Sequence, residues 1–118
     1  RPYHLTSMET PVSIATAYFY NEPTMIPAGG LVSEVVTIAK KDLKAGDRID
    51  RIGGYTVYGL IEDYSMAKDK ELLPIGLSEG AILKNDIEKS RPINYNDVDL
   101  VSDSLVRSLR KMQDGQGI

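Results

Sequence analysis

The period of the apolar positions changes along the chain, and each change marks an expected element. Thr10 followed by Pro11 reads as a helix opening, because threonine caps orphan amides and proline at the first helical position has no amide to lose. Ile14, Ala17 and Tyr18 then share one face at helical spacing, which predicts a helix over about 11–20. Asn21, Pro23, Pro27, Gly29 and Gly30 end it as a run of breakers and read as a connector. From Leu31 to Ile38 the period falls to two and the residues are rich in β-branched types, the pattern of a strand buried on both faces. A second β-rich stretch runs from Tyr55 to Ile61 behind Gly53-Gly54, a pair suited to a tight reversal or a close backbone approach. Ser65 is placed to cap a short helical turn reaching Glu71. Leu72, Leu73, Ile75 and Leu77 are interrupted by Pro74 and Gly76, which suits short irregular strands better than a helix. In the tail, Leu105, Leu109 and Met112 form one stripe with Val106 beside it and Arg107, Arg110 and Lys111 turned elsewhere, predicting an amphipathic helix over about 103–114 closed by Gly115.

An internal echo organises the middle of the chain. Ala39 to Ile49 aligns without gaps on Leu83 to Ile93, so that lysine, aspartate, a branched aliphatic and isoleucine recur in register. In each copy the aspartate can bond the backbone ahead of it, the aliphatic can plug the core, and the small Gly46 or Ser90 can close the turn. Two copies are too few for a solenoid, so a pseudo-symmetric pair of turn units folded on each other is expected. The expected fold class is mainly β with flanking helices. Its parts are an N-terminal helix and linker over 1–30, a β domain over 31–101, and a C-terminal helix and tail over 102–118.

Composition narrows the functional classes. The 118 residues are 42% hydrophobic and 26% charged, which matches a globular domain rather than a disordered chain. A net charge of -3 with dispersed basic residues provides no stripe to neutralise phosphates, so no nucleic-acid partner is expected. Cysteine is absent, which removes disulfides and thiolate chemistry and accords with an expected cytoplasmic location. No apolar run has the length of a membrane span and no signal-peptide layout precedes it, so no membrane partner is expected. Arg1-Pro2 at the start leads to the expectation that the chain continues upstream in a larger protein.

Few side chains offer chemistry. His4 is the only histidine and the first candidate for acid–base work, with Glu9 close enough in sequence to share a pocket. Thr6 and Glu9 also have the spacing of a capping box, the favoured reading of that pair. No second histidine and no cysteine accompany His4, so no metal site is expected. The glycines lack the strand, spacing and following helix of a phosphate cradle. Arg48 and Arg91 are candidates for binding a carboxylate or phosphate through their guanidinium forks, against a reading as solvated surface charges. Tyr55 and Tyr58, apolar in body and polar at the tip, are the aromatic candidates for a binding face.

The paired units, Val36 to Gly46 and Asp86 to Val98, resemble the SAF domain over roughly 34–100. That resemblance implies a β-clip of short, sharply bent strands. The flanks, Arg1 to Pro11 and Ile52 to Gly59, look like the C-terminal region of homoserine dehydrogenase-like proteins, some of which resemble the deoxyxylulose phosphate reductoisomerase. This second resemblance implies an upstream NAD(P)-binding Rossmann domain and a catalytic domain, neither of which this sequence contains. The expected function is therefore a non-catalytic accessory domain of a larger NAD(P)-dependent oxidoreductase, serving domain packing, oligomerisation or active-site closure. The rest of that enzyme and further copies of the chain are its expected partners, and no cofactor is expected in this region itself. His4 and Glu9 remain the pocket neighbours that the resemblance allows. Two alternatives stay open. One is a stand-alone module binding a sugar acid or polymer through Arg48, Arg91 and the tyrosines; the other is an oligomerisation piece in which the last helix pairs between chains.

Overall fold

A computed structural model describes residues 3–26, 29–101 and 104–115. The readings of Arg1-Pro2, Pro27 and position 103 fall outside these residues. In chain order the elements are α1 (Thr6–Tyr20), β1 (Ser33–Ala39), β2 (Val57–Asp63), α2 (Tyr64–Asp69), β3 (Ile82–Leu83), β4 (Val98–Asp99) and α3 (Leu105–Gly115), with 3-10 turns at Ile75–Leu77 and Tyr95–Asp97. β1 pairs antiparallel with β2 from Ser33 opposite Asp63 to Ala39 opposite Val57, and β3 pairs antiparallel with β4.

The described chain is thus mixed α/β, with two small antiparallel sheets and three helices, rather than mainly β. The reason lies in the middle of the chain. Much of its extended backbone pairs through single bridges, Val36 with Pro74, Ile38 with Pro92, Leu43 with Ile87 and Leu72 with Asn94, instead of continuous ladders. Prolines at two of those positions have no amide to extend a ladder.

The two echo units fold on each other with matching contacts. Leu43 and Ile87 exchange both backbone hydrogen bonds, at 2.8 and 2.9 Å. The amide of Gly46 donates to the Leu83 carbonyl and the amide of Ser90 to the Ala39 carbonyl, both at 2.8 Å. Leu83 donates to Asp47 and Ala39 to Arg91, at 2.9 and 3.0 Å. Each bond maps onto its counterpart when one unit is laid on the other, so the pair has a local pseudo-two-fold axis. Gly46 and Ser90 both take a left-handed backbone, with φ of 90° and 67°. Leu43, Ile49, Leu73, Leu83, Ile93 and Val98 fill the core between the units, where side chains of branched aliphatic type gain most from leaving water.

The edges of the predicted elements move for identifiable reasons. α1 begins at Thr6, not near Pro11, and Pro11 lies inside the helix. Leu5 stands at the N-cap position and provides no side-chain bond, so neither Thr10 nor the Thr6–Glu9 capping box opens α1. α2 is capped by Asp63 rather than Ser65, because the Asp63 carboxylate accepts from the amides of Ser65 and Met66 at 2.9 and 3.3 Å. β1 is buried on both faces only over its second half, Val36 to Ala39, where it enters the core. The Gly53-Gly54 turn packs against Asp50, whose carboxylate occupies the space a Gly54 side chain would need. Asp50 accepts from the Tyr55 amide at 2.6 Å, and Lys40 Nζ donates to the Gly54 carbonyl at 2.6 Å.

The tail helix turns the opposite way from its wheel. Ser104, Arg107, Arg110 and Asp114 are half-buried against the body, whereas Leu105, Val106, Leu109 and Met112 are exposed. Among the described residues, no helix is long and apolar enough to cross a membrane.

Candidate functional site

The structure scatters the candidate residues. His4 Nδ1 lies 3.3 Å from Glu9 Oε2 at the start of α1, with the histidine side chain 90% exposed. This brings the two together as an exposed pair on a helix that buries no residue. Acid–base catalysis needs a substrate held against the proton-transfer group, and a histidine this exposed stands in solvent rather than in an enclosure. Tyr55 stands 86% exposed on the Asp50 turn, and Tyr58 sits on β2 opposite Ile38. Arg48 bridges Ile82 through its backbone, and its guanidinium lies beside Gly80.

Arg91 lines a surface depression of about 490 Å³ with Asp86, Glu88, Asn94 and Asp97. Three carboxylates share that depression with one guanidinium, and Arg48, Tyr55 and Tyr58 are not part of its wall. A sugar acid placed there would meet more repulsion than attraction. The four ligand-binding candidates therefore do not converge on one groove.

What does converge is a set joining the two ends of the β1–α3 chain segment. Arg110 on α3 donates through Nη1 to Glu34 Oε2 of β1 and through Nε to Asp114 Oδ1 at 2.9 Å. Tyr64, at the start of α2, donates its hydroxyl to the same Asp114 oxygen at 3.0 Å. The Arg110 guanidinium also sits 5.8 Å from the centre of the Tyr64 ring, within cation–π range. Burial works against the Arg110 charge, yet the bonds to Asp114 and Glu34 outweigh it and hold the guanidinium above its ordinary value. Burial, reinforced by Asp114, pushes the Tyr64 phenol up, and burial pushes Tyr95 up beside it. Both phenols stay protonated at neutral pH, and Tyr64 acts as the donor to Asp114.

These groups border a cavity of about 190 Å³ between α2, Tyr95 and α3. Its arginine already faces two carboxylates, so the cluster is built to hold α3 on the body rather than to receive a charged ligand. The sequence pattern placed Arg110 off the apolar stripe of α3, with nothing to mark it as the residue that meets the body. Glu34 and Arg110 stand far apart in the chain, and a single helix wheel carries no signal for such a pair.

A larger groove of about 540 Å³ runs beside this clasp, lined by Val35, Ile75 and Leu77 on the body and Val106, Leu109 and Met112 on α3. Gly59 lets Val35 pack close at this wall: a Cβ there would come within 2.7 Å of Val35 Cγ1. Among the described residues, no group of three or more histidine, cysteine, aspartate or glutamate side chains is placed to hold a metal ion. The chain matches no protein-family model and no curated protein.

Proposed function

We propose that the chain is a non-catalytic accessory region of a larger NAD(P)-dependent oxidoreductase resembling homoserine dehydrogenase, with an SAF-like β-clip at its centre. The observation that carries this reading is apolar surface left open around a self-contained core: α1 buries no residue, and the stripe of α3 faces an open groove. Surfaces of this kind mark contact with other protein. The paired turn units support the β-clip reading, since their short extended pieces are in keeping with the short strands that the resemblance implies.

NAD(P) belongs to the upstream domain in this reading. A dinucleotide needs a glycine-rich turn between a parallel strand and a helix, and the two sheets described here are antiparallel pairs, so these residues do not fit the cofactor. The chain works in the cytoplasm as part of that enzyme and contributes domain packing and subunit contact. A stand-alone sugar-acid module is the weaker reading, because Arg91 lies among carboxylates and apart from Arg48 and the tyrosines. Reading the gene upstream of Arg1 tests the proposal. An open frame encoding a dinucleotide-binding domain is the expected result, and a start codon directly before Arg1 overturns it.

A further inference from the structure

The chain exposes 8620 Å². A compact monomer of 13.0 kDa exposes about 6,300 Å² by surface scaling. The excess of about 2,300 Å² is larger than the ~800 Å² that each partner gives to a standard protein interface.

None of the fifteen residues of α1 is buried, and Met8, Val12, Ile14, Tyr18 and Phe19 all stand exposed. Met8, Val12, Ala15 and Phe19 follow i, i+4, i+7 and i+11, the spacing of a helix–helix seam. Val12 is 60% exposed and Phe19 72%. A helix of fifteen residues with none buried is marginal in water, and Pro11 inside it removes a further backbone bond. α1 needs cover to persist.

The same chain carries a surface of matching kind. Leu105, Leu109 and Met112 repeat the i, i+4, i+7 spacing on α3, and Leu109 and Met112 form one wall of the 540 Å³ groove whose other wall is Val35, Ile75 and Leu77. The charges are opposite in sign: Glu9 is the one charged residue of α1, whereas α3 carries Arg107 and Lys111 besides the Arg110 held by Glu34 and Asp114.

We propose that two copies of the chain associate by seating the Met8–Phe19 stripe of α1 from each copy in the groove between α3 and the body of the other. The contact is reciprocal and closes as a two-fold dimer. It covers both open apolar surfaces at once and stabilises a helix that does not hold itself. This inference concerns the chain's own association and stands apart from the identity of any upstream domain.

Sedimentation velocity on the full chain tests it, with Val12→Lys and Leu109→Lys as variants. Both side chains are exposed in a single copy, Leu109 at 54%, so neither change threatens the core. The expected result is a species of twice the chain mass that each variant shifts to the monomer, with loss of α1 helicity by circular dichroism. The natural chain has no cysteine, so a mixture of Val12→Cys and Leu109→Cys chains should yield the mixed disulfide-linked pair. A concentration-independent monomer, a dimer that survives both lysine variants, or a Val12→Cys/Leu109→Cys double variant that closes within one chain overturns the proposal. None of these results depends on the upstream reading frame, which tests the accessory role separately.

Discussion

Asp42 and Asp86 hold each other's turn. Asp42 Oδ1 accepts the amide of Lys89 at 2.8 Å, and Asp86 Oδ1 accepts the amide of Ala45 at 2.9 Å. Ala45 and Lys89 occupy the same place in the two echo units, so the carboxylates are exchanged across the pseudo-two-fold axis. A turn-forming aspartate ordinarily bonds its own loop; here the bond crosses between units and couples two segments distant in sequence. Lys44 adds a 2.8 Å ion pair to Asp86 on one side only, where the counterpart of Lys44 is Glu88.

This exchange makes stability acid-sensitive. The Lys44 hydrogen bond and the Ala45 amide hold the Asp86 carboxyl below its ordinary value; the Thr56 hydroxyl and Tyr55 amide do the same for Asp50, as do the Ser65 hydroxyl and Met66 amide for Asp63. A depressed folded value means that the unfolded chain binds more protons in the window between the two values, so stability rises with pH there. The unfolding midpoint should be flat near neutrality and fall as pH drops through about 4 and below. Thermal unfolding followed by circular dichroism across that range checks it, and Asp86→Asn should show a shallower acid limb than the natural chain.

Gly46 and Ser90 share a left-handed backbone, but only one is glycine. A residue with a Cβ pays roughly 1–2 kcal/mol in that region. Open space surrounds Gly46, so Gly46→Ala should destabilise by about that amount through the backbone alone. Ser90→Gly should be neutral or stabilising. Urea denaturation of the two variants measures the difference, and a larger loss for Ser90→Gly than for Gly46→Ala would contradict the symmetry argument.

Leu73 joins β1 to the second echo unit directly. Its carbonyl accepts from the Thr37 amide at 2.8 Å, its amide donates to Ile93 at 2.9 Å, and its side chain is fully buried. Leu73→Ala should cost about 2–5 kcal/mol, a large share of the stability of so small a domain. Val12→Ala, on exposed α1, should leave the urea midpoint of the monomeric body nearly unchanged.

How much of this was legible depended on distance along the chain. The alternation from Leu31 and the β-branched run from Tyr55 gave β1 and β2 within about two residues, because period and propensity are local signals. The echo was legible too, since aspartate, aliphatic and small residue recur at fixed spacing and the structure pairs them position for position. Helix starts were not. Thr10-Pro11 has the composition of an opening, yet the backbone was already helical at Thr6, and a proline in an early turn forfeits few bonds. The largest miss was on α3, where Arg110 was read only as turned away from the apolar stripe, yet it holds the helix to the body through Glu34 and shares Asp114 with Tyr64. Of the candidate site, His4 and Glu9 were placed together, but the arginines and tyrosines were read as neighbours on type alone.

That inverted face gives the last prediction. Arg110 bridges α3 to β1 through Glu34 and braces its own helix through Asp114, whose oxygen also takes the Tyr64 hydroxyl. Removing the guanidinium leaves Glu34, largely shielded from water, without its cation, and a charged hydrogen bond of this kind contributes about 1.5–3 kcal/mol. Arg110→Met keeps an unbranched apolar side chain but deletes the fork and its contact with the Tyr64 ring. It should loosen α3 from the body by about 1–3 kcal/mol, seen as faster amide exchange over 105–115 with β1 protection retained at 36–39. Arg110→Lys should recover only part of the loss, because an ammonium cannot address Glu34 and Asp114 with a planar fork. Equal exchange rates in α3 for all three chains would mean that the helix is held by something other than this clasp.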